Sequence, residues 1–585
     1  MSKNDRGAAA RAAFSKGEAD RKADNAAAAR EEAEKTRPPV VCLGREGSQY
    51  VLYSTAYRRI ERLTAEKLNL PNLRAIAPRA HWEKWLFPER VAAGDEVKRG
   101  ELVEAIQERI LADCGAKMFD ASCVRGRGVW PDTAGGWVYN AGASCWWIPA
   151  DGGKVEQVDN ARDGHVYSAG VALPFPADTP LSDEEGRELV ELMRARSWVL
   201  PGAGDIMAGW MVAALLAGVM PICPHVWINA PAGTGKTYLK NDLVAVLGGL
   251  SVQVEGAATT EAAIRQRLSG AALPFLADEV EQGVNETAGR NIRKWLDLMR
   301  SASYGGSIDK GGADGTARAY SMKCSCALFS IANCISRDAD SSRCLVLHLR
   351  KGDKSIQDVW TRQDAGHALV QTPGFHSRLM ARLLACLPVL MENLAALRKH
   401  LGKVEGVDSR RAELFAVLLA CRHALVSRER MSMEAMQEAA AVMLAYGEQE
   451  EKESDFSRCL GVLLGHVVRV RGQEMTVADA CRVLYKKADP EINGACELSW
   501  SAAGLRWLEG QNSLQVDTLE DKMKRIYTGT QWSNGKIAPV LAEGADRSKG
   551  KKGANSVGIY YRCEPQLGRR KCVVIPAALV LGEDE

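Results

Sequence analysis

The run Ala230-Pro231-Ala232-Gly233-Thr234-Gly235-Lys236-Thr237 lies between an apolar stretch, Val226 to Ile228, and a segment in which Leu239, Leu243, Val244 and Leu247 recur at helical spacing. Strand, glycine-rich turn, Lys-Thr and helix, in that order, make a phosphate-binding loop in an α/β fold. Glycine lets the backbone turn its N–H groups inward around anionic oxygens, and the helix N-terminus adds partial positive charge there. Ala232, Gly233, Thr234 and Gly235 would cradle the phosphates of a nucleotide such as ATP. Lys236 would reach the β/γ-phosphates, and the Thr237 hydroxyl would hold Mg²⁺. The usual opening glycine is replaced by Ala230, which such a turn tolerates if φ stays negative at that position.

Further along, Leu273-Pro274-Phe275-Leu276-Ala277-Asp278-Glu279 reads as an apolar strand ending in two carboxylates. Ligands of open α/β sheets bind at the carboxyl ends of the strands, which suits this pair to the same site. Asp278 would hold Mg²⁺ and Glu279 would orient and polarise the attacking water. Pro274 fits only near the start of the strand, where its missing N–H costs little. A third apolar strand, Ala327 to Ile331, leads to Asn333, which would hydrogen-bond the γ-phosphate or the water; an Asn after a strand is also an ordinary turn residue. Asp340-Ser341-Ser342-Arg343 precedes a fourth strand, Cys344 to Leu349. Arg343, or alternatively Arg337, would act as an arginine finger on a neighbouring subunit's nucleotide. Between Asp278 and the third strand lies the glycine-rich stretch Ser303 to Gly312, a hairpin carrying Lys310. In a ring of subunits Lys310 would grip the phosphates of a single DNA strand; the plainer reading is a surface loop.

At 585 residues the chain exceeds one core, and three or four domains of about 150 residues are expected. The net charge of +3 leaves any nucleic-acid surface to local patches. The 16 cysteines are scattered without a CxxC pair, which argues against zinc and for reduced, buried thiols. The longest apolar run, Ile206 to Met220, is 15 residues with two glycines, short of the ~20 needed to span a membrane. A buried helix is expected there, in a cytoplasmic protein with no membrane partner.

Five segments are expected. Residues 1–37 form a charged tail that cannot build a core. Residues 38–177 form a mixed α+β domain, helical over Thr55 to Leu68 and Gly100 to Asp113 and strand-rich over Val124 to Ile148. Its Trp130, Trp137, Trp146 and Trp147 either pack a small β core or stack on unpaired bases. Arg125 and Arg127, around Gly126, either touch phosphates or mark a surface turn. Residues 178–370 hold the phosphate-loop domain, which opens with the capping box Ser182-Asp183-Glu184-Glu185. Residues 371–470 are helical. Residues 471–585 are winged-helix-like, with paired strands Val557 to Arg562 and Lys571 to Ile575 and a basic run from Arg547 to Lys571 that either suits duplex phosphates or is a solvated loop.

Together these elements resemble the superfamily 3 branch of the AAA+ ATPases, as in phage, plasmid and prophage primase-helicases. They correspond to its Walker A, Walker B, lysine-bearing hairpin and motif C asparagine, with an arginine close behind. The resemblance implies a hexameric homo-oligomeric ring that hydrolyses ATP with Mg²⁺ between subunits and translocates on single-stranded or forked DNA in replication of a mobile element, in a bacterial host cytoplasm. The first 175 or so residues show no cysteine cluster and no Glu…Asp-x-Asp carboxylates, so no primase activity is expected, and a separate primase or other replication proteins would supply it. A different class of function remains open: an ATP-switched replication initiator or helicase loader that binds DNA without processive unwinding.

Overall fold

The computed structural model describes residues 37–581 apart from 116, 231–232, 257–258, 269, 281–285, 312–316, 332–334, 336–341, 351–356, 453–454, 471–472, 487–503, 509–511, 518–524, 528–531, 533–536, 538–539, 542–557 and 565–567. At its centre is a five-stranded parallel sheet. In spatial order its strands are Val252–Glu255, Phe275–Asp278, Cys326–Ser330, His225–Asn229 and Cys344–His348. Four of these strands are almost continuously apolar because both faces are covered, whereas the edge strand Val252–Glu255 alternates apolar and exposed polar residues. Successive residues divide between the two covers, as the two-residue period of a strand requires. Val226, Ile228, Leu276, Ala327 and Phe329 join the large core cluster. Trp227, Phe275, Ala277, Cys326 and Leu328 join a second cluster with Ile292, Trp295 and Ile264.

The first face is packed by helices Ala203–Leu215, Lys236–Leu247, Phe375–Leu401 and Ser409–Val426. Every residue of Ala203–Leu215 is buried, as the apolar run from Ile206 leads one to expect. Phe375–Leu401 is long and apolar enough to cross a membrane, yet 61% of its most apolar window is buried inside the protein. Within it Arg382 is fully buried and donates to the carbonyls of Leu181 and Ala424. Helix Asp183–Arg194 opens with the expected capping box: the Ser182 hydroxyl accepts from the Glu185 N–H, and the Glu185 carboxylate accepts from the Ser182 N–H.

In the N-terminal part, helix Arg99–Gly115 matches expectation, but over Thr55 to Leu68 the only helical piece is a single 3-10 turn, Ala65–Lys67. Arg59–Leu63 is instead a strand paired antiparallel with Gln49–Ser54, in register Tyr53↔Ile60, across a turn in which Arg58 has φ +55°. The preceding strand is buried from Tyr50 to Ser54, and pairing satisfies backbone groups that would otherwise be stranded there. That demand overrides the local helical spacing. Strands Gly128–Pro131, Trp137–Asn140, Cys145–Ile148 and Glu156–Val158 form a meander.

The meander's tryptophans are engaged by protein groups. Arg125 stands over Trp130, Arg162 over Trp147, and Trp146 meets Phe175. Of packing and base stacking, packing is the role these contacts favour. The arginines of the Arg125-Gly126-Arg127-Gly128 strip are likewise occupied. The Arg125 guanidinium donates to the Pro131 carbonyl and lies 2.8 Å from His165 Nε2. The Gly126 N–H donates to Gly270, and the Arg127 carbonyl accepts from Ala272. A Cβ on Gly126 would lie 2.6 Å from the Gly270 and Ala271 backbone. The backbone of this strip is therefore a docking seam against the segment that leads into the acidic strand, rather than a free surface turn.

At the C-terminal end, strands Leu505–Leu508, Ser513–Asp517, Gly568–Pro576 and Gly558–Glu564 form a sheet in that order, with the expected last pair in register Gly558↔Val574. The basic run Arg547 to Lys552 lies outside the described residues.

Candidate active site

The phosphate loop leaves an interior strand, the fourth of the five. Strand His225–Asn229 is hydrogen-bonded on one side to Cys326–Ser330 and on the other to Cys344–His348, and helix Lys236–Leu247 begins at Lys236. Ala230 carries no positive φ, and its N–H donates to the Ser330 carbonyl, so alanine fits where glycine is usual. Gly233 and Gly235 have φ of +80° and +92°, the left-handed region where other residues are strained. A Cβ at either would meet no atom within 4 Å. Backbone conformation, rather than crowding, therefore requires glycine, and open space lies beside the loop where an anion would sit. Thr234 and Gly235 are half-buried, while Gly233 and Thr237 are exposed. Ala232 lies outside the described residues.

Asp278 ends its strand one strand beyond Cys326–Ser330, at the same carboxyl-end edge as the loop. Its side chain meets the loop helix. Lys236 Nζ lies 3.9 Å from Oδ1, and Lys240 Nζ lies 2.8 Å from Oδ2. The hydrogen bond to Asp278 raises the Lys240 pKa above that of an ordinary lysine. Glu279 follows with φ +55° and an exposed side chain, and its N–H donates to Asp278 Oδ1 at 2.9 Å. A non-glycine residue held in that region costs about 1–2 kcal/mol. Here the turn lifts the second carboxylate off the sheet edge. Pro274 sits just before the strand, as anticipated.

This donor set suits Mg²⁺. Carboxylate and hydroxyl oxygens from Asp278 and Thr237 are hard ligands, and an ammonium group already stands at Asp278 where a cation belongs.

Of the other site residues expected from the sequence, Asn333 and Arg337 lie outside the described residues. Arg343 leads the edge strand, whose first residue, Cys344, pairs with His225 at the amino end of the loop strand. The length of that strand, about 15 Å, separates Arg343 from the loop. Its guanidinium stands over the Tyr304 ring at 5.8 Å. That position keeps Arg343 away from its own subunit's phosphate loop and packs its guanidinium on a protein ring. Lys310 falls in the hairpin Ser307–Gly311 and Ala317–Ser321, directly opposite Arg318.

Sequence pattern alone does not single out three further residues: Lys240, Glu255, which pairs in register with Asp278, and Arg318. Lys240 has a legible signal, since it lies four residues after Lys236 and shares its helical face. Glu255 and Arg318 depend on strand register and have none.

No family model matches the chain, and no curated protein matches it. Among solved structures, it is similar to one described as SCCmec type IV Cch, an active helicase, at 11% identity and TM-score 0.39, covering 93% of this chain and 95% of that one. The A form apo structure of the NrS-1 C-terminal region matches at 9% identity and TM-score 0.28, covering 90% and 94%. A full-length MCM homolog from Methanopyrus kandleri matches at 15% identity and TM-score 0.30, covering 61% and 93%. At these scores nothing is transferred from them to this chain.

Proposed function

We propose that the chain is an ATP-dependent DNA helicase of the superfamily 3 type, acting as a homo-oligomeric, hexameric ring in replication of a phage, prophage or plasmid. The observation that carries the ATPase part is the meeting of Lys236 and Asp278 side chains at the carboxyl edge of a parallel sheet, with Glu279 turned outward beside them. Lys236 and the loop N–H groups bind and orient the terminal phosphates. Asp278 and Thr237 would hold Mg²⁺, which neutralises charge on the phosphate oxygens. Glu279 accepts a proton from the attacking water as its oxygen bonds to the γ-phosphorus and the bond to the β,γ-bridging oxygen breaks. Asn333 holds that water or the γ-phosphate, and Arg343 supplies positive charge from the adjoining subunit.

The hairpin supports the DNA part of the reading. Lys310 and Arg318 are cross-strand partners in the hairpin's register, two basic residues available for backbone phosphates. The deciding experiment is unwinding of a forked duplex with ATP, run beside mass photometry. The wild-type protein is expected to displace the strand and to assemble with nucleotide. Lys310→Ala is expected to remove DNA-stimulated hydrolysis and unwinding. ATP-dependent DNA binding without strand displacement would replace this reading with that of an initiator or loader. Normal unwinding by Lys310→Ala would remove the assigned role of the hairpin.

A further inference from the structure

Asp278 is nearly enclosed, at 9% exposure, and a carboxylate so placed needs a cation beside it. The nearer cation is Lys240, at 2.8 Å, with Lys236 at 3.9 Å. The two lysines lie one helical turn apart, so both ammonium groups reach from one face of the loop helix onto the two oxygens of a single carboxylate. Lys236 has a second duty at the phosphates. Lys240 has none that the loop geometry assigns. On the adjoining strand, Glu255 pairs in register with Asp278 and is exposed, its backbone about 5 Å away on the same face of the sheet, and its charge acts on Lys240. A lysine ammonium and a hydrated divalent cation compete for the same oxygen lone pairs and repel one another.

Resting on the ATPase reading above, we propose that Lys240 is a built-in counter-ion that holds Asp278 while the site is empty and yields it to Mg²⁺ when nucleotide arrives, moving to Glu255. Lys240 is thus a positioning residue. It stabilises the end of the acidic strand in the empty site, and it raises the Mg²⁺ concentration at which the site loads. Glu255 is the resting place that makes the exchange reversible.

The test uses the full chain and two measurements: a Mg²⁺ titration of binding to a fluorescent, non-hydrolysable ATP analogue, and thermal melting without nucleotide or metal. Lys240→Met is expected to lower the half-saturating Mg²⁺ about tenfold, the low end of what one lost hydrogen bond to a charged group gives. It is also expected to melt earlier than wild type when empty, with the deficit closing once Mg²⁺ and analogue are bound. Lys240→Arg should keep the wild-type midpoint. Glu255→Gln should raise it, because the displaced ammonium loses its second partner, and this variant carries the test if Lys240→Met does not fold. An unchanged or raised midpoint in Lys240→Met overturns the counter-ion role, as does an unchanged midpoint in Glu255→Gln. Failure of the wild-type protein to bind the analogue at all is a separate result, seen before any variant is compared, and it removes the ATPase reading and this role together.

Discussion

The backbone at Glu279 separates catalytic from structural demands at one residue. Its φ of +55° strains any side chain with a Cβ, whereas glycine adopts it freely. Glu279→Ala and Glu279→Gly should both abolish turnover, but the glycine variant should be the more stable by about 1 kcal/mol, measured by denaturant unfolding. Equal stability would mean that the strained turn is not kept in solution. Glu279→Gln should bind ATP and not hydrolyse it, while Lys236→Ala should lose binding and hydrolysis alike. A single-turnover assay beside equilibrium binding distinguishes the two. The residues these tests address are legible in the sequence because their chemistry is local: Lys236 and Thr237 follow the glycines directly, and Asp278 and Glu279 end one apolar run. Glu255 is not, because its place beside Asp278 depends on how two strands align, a fact no local pattern encodes.

Elements in this fold are set by what they pack against more than by their own periodicity. Thr55 to Leu68 shows helical spacing, yet its Arg59–Leu63 portion pairs as a strand, because its neighbour Gln49–Ser54 is buried and needs a hydrogen-bonding partner. The central strands are readable because burial on both faces makes them apolar throughout. Their spatial order, with Cys326–Ser330 inserted between the loop strand and the acidic strand, cannot be read that way. Helix Ala203–Leu215 shows the same dependence on contact. A Cβ on Gly209 would lie 1.9 Å from the Leu418 carbonyl oxygen, so two helix backbones touch at that position. Gly209→Ala must push helix Ser409–Val426 away, and it is expected to cost about 1–3 kcal/mol despite alanine's better helix propensity. A stabilised Gly209→Ala variant would show that the helices do not approach so closely. At the far edge of the sheet, the Tyr446 hydroxyl accepts from the Val346 N–H at 3.0 Å, tying the helical region to the strand that Arg343 leads.

Across the whole molecule, one buried and three partly buried histidines make stability depend on pH in one direction. His225, at the foot of the loop strand, is fully enclosed. Its Nδ1 accepts from the Cys326 N–H, and its Nε2 faces the Met299 carbonyl and the Ser303 hydroxyl, each at 2.9 Å. Burial lowers its pKa from an ordinary 6.5 to about 4. Burial also lowers the pKa of His423 in helix Ser409–Val426, of His466 just before strand Val467–Val470 and, aided by Arg125, of His165 in the N-terminal part. Each of the four is more readily protonated in the unfolded chain than in the folded one, so folding releases protons wherever those pKa values are straddled. Stability contributed by the neutral rings is therefore complete above pH 6.5 and declines as pH falls from 6.5 toward about 4. Ordinary carboxylates titrate mostly below this range, near 4, so the upper part of the decline belongs to the histidines. Urea unfolding at intervals between pH 7 and pH 5 should show the midpoint falling steadily. His225→Gln, which keeps an N–H for Met299 but cannot take up a proton, should reduce the slope by up to one proton. A flat profile over that range, unaltered by His225→Gln, would place the His225 ring in contact with solvent and open the base of the sheet, where strand His225–Asn229 begins.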